Sequence, residues 1–220
     1  MQKELLICGE KVFVTRKNMK NIRLSISTNG DVKLSAPTFV PLKQLENFVE
    51  EKMDWIKTQK LKLQTKTNAF QSGEDICVLG KPYVLEVIKS NKNAVKFSEN
   101  NLFIYTNTQS SPKDVFLSWA KKYLKKILPT YFQKWSLATG LQVKGFSIRN
   151  MKTRWGSCNY KKQTISINVQ IIFKDLECLD YLVLHEIAHI KEPSHNQNFK
   201  NFLTKYMKNW KIIRKKLKNN

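Results

Sequence analysis

Apolar and polar residues alternate through the first third of the chain and then give way to helical spacing. Within Asn21-Ile22-Arg23-Leu24-Ser25-Ile26-Ser27 every second residue is apolar, Asn29-Gly30 has the form of a primed hairpin turn, and Asp31-Val32-Lys33-Leu34-Ser35 alternates back. The pattern predicts a β-hairpin. After Pro37 and Pro41, the residues Leu42, Leu45, Phe48, Val49, Met53 and Ile56 recur at helical intervals among charged neighbours, which predicts an amphipathic helix over 41–64 covering the sheet. Short apolar runs at 76–79, 83–88, 94–97 and 102–105, separated by Gly80-Lys81 and the 90–93 segment, predict an antiparallel meander.

From Ser111-Pro112 onward the spacing is mainly helical. Val115, Phe116, Trp119, Tyr123, Ile127 and Leu128 form an apolar stripe, and the helix is expected to bend at Pro129 before running on through Trp135 to Gly140. Strands near 145–149 and 164–169 precede a helix through Leu176, Leu179, Val183, Ile187 and Ile190, with Asp175 as its N-cap. No internal repeat or low-complexity linker is apparent. The class is α+β, with two contacting lobes: a β-rich N-terminal lobe, 1–108, with its covering helix, and a C-terminal lobe, 109–220, of helices and a small sheet.

Composition narrows the class. Of the 220 residues 41% are hydrophobic and 11% aromatic, which describes a packed globular protein rather than a disordered one. The apolar stretch at the N-terminus is too short for a signal-peptide core and is cut by Gly9 and Glu10, and no run approaches the roughly 18 apolar residues of a membrane helix. The expectation is a cytoplasmic protein without a membrane partner. Cys8, Cys77, Cys158 and Cys178 form no CxxC pair, so neither a disulfide framework nor a zinc ribbon is indicated. Cys158, in a Gly-Ser-Cys-Asn turn, is a minor candidate for approaching a metal. The net charge of +22, from 39 basic and 17 acidic residues, suits nucleic acid, acidic peptides or anionic surfaces, and equally suits lysines spread over solvated faces.

All three histidines fall in His185-Glu186-Ile187-Ala188-His189-Ile190-Lys191-Glu192-Pro193-Ser194-His195. On a helix His185 and His189 project from nearly the same face and can share one metal ion, while Glu186, one position along, stands beside the metal as general base. Pro193 ends that helix, and Ser194 with Gln197 has the form of a capping box for the next, which puts His195 in its first turn as third ligand. Three protein ligands leave a fourth position open, the mark of a catalytic rather than a structural Zn2+. Metzincins share this third-ligand spacing but use glycine where Glu192 stands, so a metzincin turn is not supported. Phe199, Phe202, Leu203, Tyr206 and Trp210 continue at helical spacing.

Lys152-Thr153-Arg154-Trp155-Gly156-Ser157-Cys158, followed by Ile165-Ser166-Ile167-Asn168, resembles the signatures of the YgjP-like metallopeptidase-domain family of predicted metal-dependent hydrolases. The likeness extends through residues 16–24, 51–56, 79–83 and 209–210, and so spans nearly the whole chain. It implies a zincin-like core in which His185, His189 and His195 bind zinc and Glu186 is the base. His195-Asn196 replaces the family's usual His-Ser, which leaves the ligand intact and alters a possible supporting hydroxyl. The catalytic half is more distantly similar to SprT-like and Wss1-like proteases that digest proteins crosslinked to DNA.

Two segments have two readings each. The Arg154–Cys158 stretch is either an edge strand and turn above the zinc, with Arg154 stabilising an oxyanion, or a structural turn in which Trp155 plugs the core. The tail from Lys200 to Asn220, with eight basic residues and no acidic one, is either a phosphate-contacting surface or a solvated helix face. Function divides accordingly: a zinc peptidase acting on peptide or protein, a nucleic-acid-associated protein localised by its charge, or a zinc hydrolase of a non-peptide amide.

Overall fold

In the computed structural model, which describes residues 2–27, 29–65 and 70–218, the chain begins with β1 (Gln2–Ile7) and β2 (Glu10–Lys17), joined by a turn with positive φ at both Cys8 and Gly9. β3 (Arg23–Ile26) and β4 (Val32–Pro37) pair antiparallel with Ile26 opposite Val32, so the hairpin expected from the alternation forms. Its turn is not the primed one expected. A primed Asn-Gly turn needs positive φ at both residues, and of the two only Gly30 has it. Ser27 and Asp31 close a wider loop instead, through Ser27 N–H to the Asp31 carbonyl at 2.9 Å and the Ser27 hydroxyl to the Asp31 carboxylate at 3.0 Å. β4 also pairs parallel with β2, giving the order β1-β2-β4-β3.

Val12, Val14, Val32, Leu34 and Ala36 bury this sheet's inner face against Leu45 and Val49 of α1 (Leu42–Glu50) and Ile56 of α2 (Met53–Thr65). The single helix expected over 41–64 is interrupted at Glu51 and Lys52, where the Lys52 N–H bonds the Val49 carbonyl in a tightened turn.

A second four-stranded sheet comprises β5 (Asp75–Val78), β6 (Lys81–Lys89), β7 (Ala94–Phe97) and β8 (Asn101–Thr106) in the order β5-β6-β8-β7, with β6 and β8 parallel. This overturns the meander, in which β6 would pair with β7. β8 buries Leu102, Ile104 and Thr106, as a central strand does, whereas β7 ends in exposed Lys96 and Phe97 and suits an edge. Strand order and directions repeat those of the first sheet, and Leu79-Gly80 repeats the positive-φ pair of Cys8-Gly9. Each sheet is followed by a helix. The chain therefore carries a repeated ββββα arrangement that was not apparent in its sequence.

The chain divides into the units Met1–Asn68 and Ala69–Asn220, so the boundary is not the expected one at 108/109. The reason is the core: Leu85, Leu102 and Ile104 of the second sheet share one apolar cluster with Phe116, Leu124 and Ile187. In that unit α3 (Pro112–Thr139) starts with the Ser111 hydroxyl accepting from the Asp114 N–H and ends at left-handed Gly140. It runs on through Pro129 as one helix to Gly140, as expected. β9 (Gly145–Arg149), β10 (Gly156–Asn159) and β11 (Thr164–Asn168) form a small sheet of order β10-β11-β9, with β10 at the edge.

A 3-10 turn over Val169–Phe173 leads into α4 (Leu176–Lys191), followed by α5 (Gln197–Tyr206) and α6 (Trp210–Lys218). The apolar spacing from Phe199 to Trp210 is thus shared between two helices rather than one. Asp175 holds the N-cap position of α4 but makes no side-chain cap bond; its side chain lies against Gly80. The observed class is α+β. Among the described residues no helix is long and apolar enough to cross a membrane.

Candidate active site

α4 is buried along most of its length through Leu179, Leu182, Val183, Leu184 and Ile187, which fixes its rotation and hence the direction of its two histidines. The ring centroids of His185 and His189 are 5.0 Å apart, and His195 completes a triangle at 5.1 and 4.7 Å. One ligand atom from each lies within 4.8 Å of the others, so the three imidazoles expected to converge do so and can hold one ion. Cys158 is not part of this group.

The route of the chain to His195 differs from expectation. α4 ends at Lys191, with the Glu192 N–H bonding the Ala188 carbonyl; Glu192 has φ −122°, a conformation that asks for no glycine. Ser194 is not the next cap. Asn196 is, its side-chain oxygen accepting from the Phe199 N–H at 2.9 Å, so His195 precedes α5 rather than sitting in its first turn. A serine at 196 would satisfy the same N–H, so asparagine and serine there keep His195 in the same place.

Supporting groups hold the rings. The His189 Nδ1 lies 3.0 Å from the Glu192 carbonyl oxygen and the His185 Nδ1 lies 3.1 Å from the Tyr181 hydroxyl. With those positions engaged, the Nε2 atoms of both are left for the shared space, where the Nε2 atoms of His185 and His195 lie 3.1 Å apart. Buried Phe199 backs all three rings, with centroids 4.6–5.0 Å from each. Burial pushes the His185 pKa down to about 3, with the neighbouring His189, His195 and Arg214 adding to the effect. Burial also lowers His189 and His195, so the imidazoles are neutral donors at neutral pH. Burial raises the Tyr181 phenol to about 12 and keeps it protonated.

Glu186 is 4% exposed, and its Oε2 has no hydrogen-bond partner among the described residues. Burial pushes its pKa up to about 8, against the pull of Arg154. An unpartnered buried carboxylate oxygen beside three converging imidazoles calls for a polar occupant of the space between them. The donor set, three neutral nitrogens and no thiolate, fits a divalent metal of the zinc type.

β10 supplies another wall, with Gly156 packed directly against the Glu186 side chain. Arg154 lines the same pocket. Trp155 is half-buried against the core, under the Lys174 ammonium at 5.4 Å, and also lines the pocket. Buried Asn168 holds the preceding loop: its amide donates to the Met151 and Arg154 carbonyls at 2.8 and 2.9 Å. Sequence reasoning missed Tyr181 and Arg214 of α6, neither of which lies in the histidine motif. The i−4 spacing of Tyr181 from His185 was the one available signal.

Fold and site together define a metal-dependent hydrolase of the metallopeptidase class. The family model for the YgjP-like metallopeptidase domain matches residues 20–220, and the chain belongs to that family. It is similar over 41% of its length to the crystal structure of the metallopeptidase zymogen of Pyrococcus abyssi abylysin, at 21% identity, 91% coverage of that chain and a TM-score of 0.39. Over 40% it is similar to the metallopeptidase zymogen of Methanocaldococcus jannaschii jannalysin, at 25% identity, 91% coverage and a TM-score of 0.36. None of the curated proteins compared matches the chain.

Proposed function

We propose that the protein is a zinc peptidase in which His185, His189 and His195 hold the ion and Glu186 is the general base. The observation that carries this reading is the orphaned Glu186 Oε2 beside three imidazoles whose ligand atoms lie within 4.8 Å of one another. When bound, zinc lowers the pKa of a coordinated water from about 16 to about 7 and polarises a carbonyl. Glu186 accepts the proton of the attacking water and delivers it to the leaving amine. Tyr181 and the Glu192 carbonyl keep the ring orientations fixed. β10, an edge strand beside the base, offers main-chain groups to an extended peptide, and Arg154 contributes positive charge for a developing oxyanion.

Metal content and hydrolysis of an unfractionated peptide mixture test the reading together. The wild type is expected to carry about one zinc per chain, lost in His195→Ala. Glu186→Gln is expected to keep its zinc and lose hydrolysis by about 100-fold or more. Full activity in Glu186→Gln overturns the assignment.

A further inference from the structure

The pocket containing the histidines has a volume of about 430 Å³, and its charged lining is one-sided: Arg154, Arg214 and Lys218 against Glu186 alone. Two of these cations come from α6. Trp210, Ile213 and Leu217 bury one face of that helix, and Arg214 and Lys218, four residues apart, share a flank beside it. Both cations line the same pocket as the three histidines. Lys216 of the same helix is paired with Glu177, whereas no ion pair among the described residues engages Arg214 or Lys218. Arg214 has a neighbour in the Trp210 ring, 6.0 Å away, which steadies it without neutralising it. Uncompensated positive charge in a concave site concentrates anions, and a metal in the triad adds to it.

We propose that Arg214 and Lys218 form a subsite for an acidic side chain, so that the enzyme selects peptides with Asp or Glu close to the scissile bond. The inference deepens the peptidase reading and rests on it. A nucleic-acid strand would use cations spread along a groove with several exposed aromatics between them. Here two cations one helical turn apart, beside a hydrolytic centre, match a single carboxylate. α6 thereby becomes part of the specificity apparatus rather than a solvated outer face.

Binding and cleavage are measured in parallel so that the two readings separate. Three labelled peptides of equal length, with Glu, Gln or Lys flanking a common centre, are titrated into the full-length, zinc-loaded Glu186→Gln protein by fluorescence anisotropy, and the wild type is assayed on the same peptides. The Glu peptide is expected to bind about tenfold tighter than the Gln peptide at low salt and to lose that margin as salt rises. Arg214→Glu/Lys218→Glu should abolish or reverse the preference. Lys211→Glu/Lys215→Glu, which changes net charge equally from exposed positions of α6, should keep it. Exposed Lys218→Glu alone, with its melting curve checked, guards against misfolding of the double variant. A preference for the Glu peptide without cleavage of any peptide removes the peptidase reading and leaves the subsite. Cleavage without acidic preference removes the subsite, as does equal loss in the Lys211/Lys215 control. Tighter binding of a single-stranded oligonucleotide that displaces the Glu peptide assigns the cations to nucleic acid and overturns the proposal.

Discussion

The backbone of Gly156 passes so close to Glu186 that a Cβ on residue 156 would lie 2.7 Å from the Glu186 Cδ and 2.8 Å from its Cγ. The edge strand and the Glu186 carboxyl are therefore fitted to each other, and glycine stands at 156 for proximity. Its φ is not among the positive ones.

Gly156→Ala is expected to displace the Glu186 carboxyl, because the end of a side chain yields before a strand paired to β11 does. Misplacement by about 1 Å at a reacting group costs about 100-fold in rate. Steady-state kinetics should show a large fall in kcat with zinc content unchanged and a shift in Tm of only a few degrees, about what 1 kcal/mol produces. Wild-type kcat in this variant contradicts the proposed role of Glu186.

Tyr181→Phe removes the hydroxyl at the His185 Nδ1 and leaves the ring, whose centroid is 5.5 Å from that of His185. Loss of a partner that orients a ligand lowers metal affinity by about 10- to 100-fold. Competition with a zinc chelator measures it. An unchanged zinc Kd shows that Phe199 and burial alone hold the ring.

Asn168→Ala strips two carbonyls, of Met151 and Arg154, and two N–H groups, of Met151 and Gln170, of their partner. A loss of about 1–3 kcal/mol is expected from denaturant midpoints. Asn168→Asp should also destabilise, because a carboxylate cannot donate to the carbonyls. Two neutral variants would show that the loop before β10 does not depend on this residue.

Burial, with the nearby Glu186 carboxylate adding to it, raises the Cys158 thiol to about 11. The thiolate is the reactive form, so between pH 7 and pH 9 the Cys158 alkylation rate should rise about tenfold per pH unit and remain far from its plateau. Exposed Cys8 and Cys77 should be modified first. Mass spectrometry of peptides after timed alkylation reads all three, and early labelling of Cys158 contradicts its burial.

The sequence was informative where a pattern depends on neighbours a few residues apart. His185 and His189 share a face because helical geometry puts residues four apart together, and Leu24, Ile26, Val32 and Leu34 face one way because strands alternate. Partners distant in the chain were not legible. Period two states which face a strand buries and says nothing of which strand lies beside it, so the pairing of β6 with β8 rather than β7 is invisible to it. Caps slipped for a related reason: Ser194 and Asn196 can both accept from a helix N–H, and the path of the preceding turn chose Asn196.

By itself the sequence determined the chemistry-bearing segment, the helix that carries His185 and His189, and the α+β class, since each rests on short-range geometry that any folded state of those residues must respect. Only the tertiary structure decided what surrounds that segment: Phe199 behind the rings, Tyr181 at the His185 Nδ1, Gly156 against Glu186, Arg214 and Lys218 in the lining of the same pocket. Those contacts come from separate elements joined by packing of one core, and packing is set by shape and burial over the whole unit rather than by any local pattern.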